Sequence, residues 1–242
     1  MGALRSVIAT VAAVATAIMS GALDRAHAGG TETPSFLLFA GTDLWRYGSF
    51  AYGGMLWSAE GLDKTGFAFK VLVSGGGYTF LSGYQNEGID GTMLSVGALP
   101  GWRFSHGNLA VSVFAGPLVQ DYRLVPFDPS ARLHGFYVGG QFASDVWYQP
   151  TPATLVMVNG QIASIGPTGS LRTAFGVRVF DRMFVGPETQ EIWCGDFEEA
   201  QFGAHLTAWR IEGLEWSAGG GWAIDSDHRT GPYMRLGFNA RY

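Results

Sequence analysis

Glu215 and Ser217 sit two residues apart on one alternating segment, and His205 falls on the polar face of the segment before it. Carboxylate, hydroxyl and imidazole are the parts of a nucleophilic triad, in which the imidazole takes the hydroxyl proton and the carboxylate orients the ring. Membrane-embedded hydrolases and acyltransferases of the outer membrane can use such a set, so His205 with Ser217 and Glu215 is the best catalytic candidate in the chain. An enclosed histidine, however, more often completes a hydrogen-bonded interior than a reactive site. The motifs that accompany catalysis are also missing: no Gly-rich phosphate loop, no His-Glu-x-x-His and no G-x-S-x-G elbow. We therefore assign no catalytic residue and expect a protein that is not an enzyme and carries no metal and no cofactor.

The remaining reactive side chains are scattered. His27, His106, His134 and His228 share no ligand spacing. Cys194 is the single cysteine, which excludes an intrachain disulfide and a cysteine metal cage. It is expected in an external loop, as an incidental thiol.

Chemistry of this kind needs a frame, and composition limits which one. Of 242 residues 36 are glycine, 14% are aromatic and only 14% are charged, a mixture too apolar for a disordered chain. Fifteen Lys and Arg against 20 Asp and Glu exclude a nucleic-acid binder. The start of the chain reads as a secretory leader over residues 1–28: Arg5, an apolar run from Val7 to Ile18, then Ala26-His27-Ala28. That run falls short of the roughly 20 residues a spanning helix needs. Residues 29–242 form the mature unit.

In that unit the hydrophobic period is two, in segments of about ten residues divided by turn-rich stretches. Twelve strands are expected, beginning near Leu37, Phe50, Phe67, Thr92, Leu109, Leu133, Ala153, Ser170, Met183, Ala200, Leu214 and Tyr233. In the last, Met234, Leu236, Phe238, Ala240 and Tyr242 share one face, and Tyr233, Arg235, Gly237, Asn239 and Arg241 the other. The fourth, sixth, eighth and tenth connections read as tight. The third, fifth, ninth and eleventh read as longer; the first and second break the trend. Short and long ends that alternate, with an even strand count, describe a bacterial outer-membrane barrel. A chain that stops on Tyr242 within an alternating strand resembles the terminal signal for barrel insertion. The fold expected is all-β: a single up-and-down transmembrane antiparallel β-barrel of about 12 strands, in the outer membrane of a Gram-negative bacterium.

The charges agree with grease turned outward. Asp43, Asp145, Glu188 and Glu215 fall on the lumen side with Lys70, Arg103, Arg172, Arg178, Arg235 and Arg241, and no charge is forced onto the lipid face, where an arginine costs roughly 2–4 kcal/mol. External connections are acidic; their acids include Glu87, Asp90, Asp128, Glu191 and Asp196. Aromatics beside turns, namely Trp57, Trp102, Phe104, Tyr148, Phe184, Trp209, Trp222 and Tyr242, suit interfacial girdles. Glycines on the polar faces allow strong coiling and point to a narrow or plugged interior. Phe114-Ala115-Gly116-Pro117 and Phe184-Val185-Gly186-Pro187 repeat one pattern, and a bulge is the expected explanation for each proline.

Several strings carry a resemblance: Leu38-Phe39-Ala40-Gly41-Thr42-Asp43-Leu44-Trp45-Arg46, Gly53-Gly54-Met55-Leu56-Trp57-Ser58, Leu99-Pro100-Gly101-Trp102-Arg103, Asp145-Val146-Trp147-Tyr148-Gln149-Pro150-Thr151-Pro152, Val185-Gly186-Pro187-Glu188 and Glu215-Trp216-Ser217-Ala218-Gly219. Together they resemble the bacterial cellulose biosynthesis protein BcsS family over nearly the whole mature chain. The resemblance implies a non-enzymatic accessory of cellulose production and secretion, with no catalytic residue to carry over. Its implied partners are outer-membrane lipid and the cellulose synthase and export machinery, or cellulose itself. Trp45, Trp147 and Trp193 are candidates for stacking on sugar rings. The main glucan-export channel of such systems carries periplasmic helical repeats that this chain lacks, so the implied role is assistance or anchoring beside it. The alternatives are a small passive pore and, behind it, a lipid-modifying enzyme built on His205.

Overall fold

A computed structural model describes residues 34–82, 87–166 and 168–242; the leader expected over residues 1–28 lies outside them. The chain forms β1 (Phe36–Trp45), β2 (Gly48–Ser58), β3 (Gly66–Leu81), β4 (Gly88–His106), β5 (Leu109–Val125), β6 (Gly135–Thr151), β7 (Thr154–Ala163), β8 (Thr168–Val179), β9 (Met183–Cys194), β10 (Phe197–Ile211), β11 (Leu214–Asp225) and β12 (Thr230–Arg241). Each strand pairs antiparallel with its neighbours in sequence, and β1 closes the barrel against β12. Closure is completed at the chain ends, where the amides of Ser35 and Phe36 both donate to the Tyr242 carbonyl at 2.8 and 2.9 Å. No sheet edge is left to pair with another chain.

Alternation sets the two faces. Leu94, Trp102, Phe142, Phe175, Phe202, Trp222 and Leu236 are exposed on the outside, whereas Asp43, Glu188, His205 and Arg235 are buried. A water-soluble barrel has the opposite arrangement, and a continuous apolar exterior around a closed sheet is the surface a bilayer covers. The chain is a transmembrane β-barrel.

The first described residues and Tyr242 lie at one end, here called proximal. The proximal turns after β4, β6 and β10 hold two residues each and the one after β8 three, while the connection 59–65 after β2 is the long one. At the distal end the connections 82–87, 126–134, 164–167 and 226–229 are longer, but β1–β2 and β9–β10 turn over two residues. The ninth connection is therefore tight rather than long: Gly195, at φ 67°, supplies the left-handed turn, and pairing runs up to Cys194 and Phe197.

Four local expectations are corrected. Cys194 is not in a loop; it ends β9 with its side chain buried. Phe184 is not part of a girdle but is 3% exposed inside the barrel, because it shares the inward parity of Gly186 and Glu188. Neither Pro117 nor Pro187 sits at a register shift; Pro117 opposes Gly140 and Pro187 opposes Ala204, and toward β4 and β8, where pairs drop out beside each proline, the register is the same on both sides of the gap. The bulge in that part of the wall lies instead on β10, between Leu206 and Trp209, where Ala208 adopts φ 64°. By adding one residue it returns Trp209 to the outer face, which straight alternation from His205 and Thr207 would deny it.

Candidate functional site

The lumen is organised in three layers. The distal layer is apolar. Tyr78, Phe80, Ile89, Leu118, Tyr122, Cys194 and Phe197 converge inside the barrel, and Ala131 and Leu133 of connection 126–134 and Ile165 of connection 164–167 fold inward onto them. Phe197 stands at the junction, 5.3 Å from Tyr78 and 6.2 Å from Phe50 between ring centroids. Beside it Trp45, Ala223 and Tyr233 form a second cluster against Tyr47. Arg229 caps that cluster, stacking on Tyr47 at 4.1 Å and pairing with Asp225 at 2.6 Å. Among the described residues the distal half of the lumen is filled.

The middle layer is ionic. Glu188 on β9 accepts from Arg172 on β8 at 2.8 Å, from Tyr233 on β12 at 3.0 Å and from Arg235 on β12, and Arg235 also donates to Gln190 at 3.2 Å. Asp43 on β1 is buried nearby, giving two acids and two arginines. Ionised groups removed from water are tolerated only when paired and hydrogen-bonded in this way. The side chains of β9 and β12 meet because the strands between them present glycine: a Cβ on Gly219 would strike the Glu188 carboxylate and lie 2.7 Å from Arg235, and one on Gly203 would lie 2.5 Å from the Tyr233 hydroxyl.

The proximal layer is open. A cavity of about 730 Å³ runs from the floor of the distal packing to the proximal turn at Gly107 and Asn108. Lys70 pairs with Asp145 at 2.8 Å and lies 5.4 Å from the ring centres of both Phe39 and Phe114; Asn159 donates to the other Asp145 oxygen at 3.0 Å. Arg103 donates to the Leu62 carbonyl and, at 3.0 Å, to Ser112, tying connection 59–65 to the wall. Arg241 pairs with Asp63 at 3.3 Å and Glu215 with Arg210 at 3.4 Å at the mouth. Arg178, exposed near the proximal turn after β8, stacks over Phe184 at 5.0 Å. The ten lumen charges named from sequence thus fall into a central knot of Asp43, Arg172, Glu188 and Arg235, a proximal belt of Lys70, Arg103 and Asp145, and a mouth group of Arg178, Glu215 and Arg241.

The three tryptophans separate. Trp45 is 8% exposed within the distal packing, so its faces are taken and it is not available to a sugar. Trp193 is half-buried at the distal end, covers Gly169 and lines the far end of the same cavity. Trp147 is half-buried on the proximal part of β6 and lines the cavity.

His205 is 2% exposed. Its Nδ1 bonds the Thr207 hydroxyl at 2.9 Å and its Nε2 the Phe175 carbonyl at 3.1 Å. Both ring nitrogens are thereby engaged away from Ser217 and Glu215, which is the interior, hydrogen-bonded role and not the geometry of a triad. Among the described residues no group of three or more His, Cys, Asp or Glu could hold a metal. Sequence reasoning missed the amide lining of the cavity, Gln120, Gln141, Gln161 and Gln190. Their inward parity was visible, but not that all four line one cavity.

Similar solved structures include the TodX deltaS2S3 mutant monoaromatic hydrocarbon channel, at 10% identity over 86% of this chain and 90% of that one with a TM-score of 0.49. The KdgM porin is 9% identical over 85% and 99%, with a TM-score of 0.43. The translocator domain of autotransporter NalP from Neisseria meningitidis is 12% identical over 96% and 98%, with a TM-score of 0.45. No curated protein matches the sequence. The family model described as cellulose biosynthesis protein BcsS matches residues 37–242, nearly everything from the first strand to the last residue. The chain belongs to the cellulose biosynthesis protein BcsS family.

Proposed function

We propose that the protein is a non-enzymatic barrel of the Gram-negative outer membrane that supports cellulose secretion from beside the export channel, and that it is not itself a conduit. The proximal end, where the tight turns lie and β1 begins and β12 ends, faces the periplasm, in keeping with the general build of such barrels. The observation that carries the reading is the filled distal half of the lumen in a family tied to cellulose biosynthesis. A glucan chain cannot thread a passage occupied by Phe197, Tyr78 and Leu118, whereas a blind chamber facing the periplasm can hold or orient something arriving from that side. Partners under this reading are the outer-membrane lipid, the synthase and export machinery, and the glucan.

The test is deletion of the gene in a cellulose-producing strain. Reduced cellulose output or loss of matrix attachment to the cell surface, restored by the intact gene, supports the role; unchanged output and attachment contradict it.

A further inference from the structure

The cavity carries more chemical detail than that reading uses. Most of its ions are already matched: Lys70 with Asp145, Arg172 and Arg235 with Glu188, and Arg241 with Asp63, while Arg103 is held by the Leu62 carbonyl and Ser112 and Asp43 has no ion-pair partner among the described residues. An anion drawn to Lys70, Arg172 or Arg235 would have to break an existing pair to be held, which selects against phosphates and acidic peptides. What the wall leaves unmet are acceptors. The Gln141 Oε1 and Asp43 Oδ1 atoms are buried without a hydrogen-bond partner, on side chains 9% and 6% exposed, and both residues line the cavity. Gln141 is held in place by its own amide, whose nitrogen donates to Gln161 at 2.9 Å. Unpaired buried acceptors are costly until a donor reaches them, and hydroxyl groups are donors that bring no charge.

Near the mouth, Trp147 adds a half-buried aromatic surface on the same strand as Gln141 and Asp145. A chamber of about 730 Å³ lies within the usual range of roughly 300–1,000 Å³ for ligand sites. We infer that the chamber is a binding site for the end of a short, uncharged glucan entering from the periplasmic side, with its hydroxyls donating to Gln141 and Asp43 and a sugar ring lying on Trp147. That the glucan is β-1,4-linked rests on the role proposed above; the polyhydroxylated, uncharged character rests on the cavity.

The experiment is titration of the purified full barrel in detergent with cellotetraose, followed by tryptophan fluorescence and calorimetry, with maltotetraose as the α-linked comparison. Saturable binding of cellotetraose is expected, weakened about tenfold or more by Trp147→Ala and several-fold by Gln141→Leu, the loss of one aromatic contact and one hydrogen bond respectively. Heat-modifiable gel mobility checks that each variant is folded, and Trp147→Phe, which keeps a ring, should retain part of the affinity. Absence of saturable binding by the wild-type barrel, or affinities that Trp147→Ala and Gln141→Leu leave unchanged, overturns the inference. Equal binding of maltotetraose overturns the β-linked assignment alone. A deletion strain that loses cellulose while the barrel binds no cellotetraose sinks the chamber and leaves the accessory role standing; binding without any cellulose phenotype does the reverse.

Discussion

Glu188 and Arg235 meet across two intervening strands, their contact lying directly over Gly219. The pair is what a barrel of this width can do that a flat sheet cannot: residues from β9 and β12 join through the enclosed space, and the glycines of β10 and β11 clear their path. Substituting Glu188 by Ala removes the carboxylate that both Arg172 and Arg235 bond, leaves Asp43 as the one acid of the knot, and should destabilise the barrel by about 3–5 kcal/mol. Urea unfolding in detergent, read by the folded and unfolded gel bands, checks this. A Gly219→Val variant should act in the same direction with both charges intact, and an unchanged unfolding midpoint in both would show that the knot does not hold the fold.

The filled distal layer predicts electrical silence. Wild-type protein in planar bilayers should show no steady conductance, and removing Phe197 and Tyr78 bulk together, as Phe197→Ala with Tyr78→Ala, should produce channel events. Ion flow through the unmodified barrel would contradict the sealed lumen.

The outer face makes a separate prediction. Leu236 is 43% exposed on the outward side of β12, opposite Ala218 on β11. Leu236→Arg should cost roughly 2–4 kcal/mol of folding into lipid vesicles if the site is near mid-bilayer. The same change at Val125, 69% exposed at the distal end of β5, should cost little.

His205 supplies a negative test of catalysis. His205→Ala should leave the lipid A and phospholipid profile of the cell unchanged while lowering barrel stability by about 1–3 kcal/mol, since Thr207 and the Phe175 carbonyl lose their partner. A changed lipid profile in a strain whose barrel remains folded would restore the enzyme reading.

Asp128 gives the distal loop a pH dependence. Hydrogen bonds from Ser82 and from the amide and hydroxyl of Ser130 hold its carboxyl below the ordinary aspartate value of 3.8. A lowered folded-state value means the contribution is fully present above that ordinary value and fades as the pH falls through the lower one. Limited proteolysis of connection 126–134 should therefore be slow at neutral pH and rise at strongly acidic pH, and Asp128→Asn should be cut faster at neutral pH. Identical cutting of the two at pH 7 would remove the role.

Much of this was legible along the chain. Period-two alternation located all twelve strands, because lipid outside and charge inside give each strand two unlike faces, and the starts expected at Leu109, Met183 and Leu214 coincide with those observed. Alternation reports faces but not heights. Whether Phe197, Tyr78 and Leu133 share one level depends on stagger and on loops that fold back, so the distal packing could not be read from spacing. Parity also fails one residue past a bulge, as at Trp209. Conversely, Phe184 was misassigned by its nearness to a turn although parity with Glu188 had already turned it inward.

The central claim is that this sheet is closed, apolar outside and seated in the outer membrane. The most direct measurement is gel mobility of the outer-membrane fraction before and after boiling: a fast-migrating band in detergent that shifts to the unfolded position on heating is the predicted result. Protein recovered in the soluble fraction without detergent, with no shift on boiling, would contradict it.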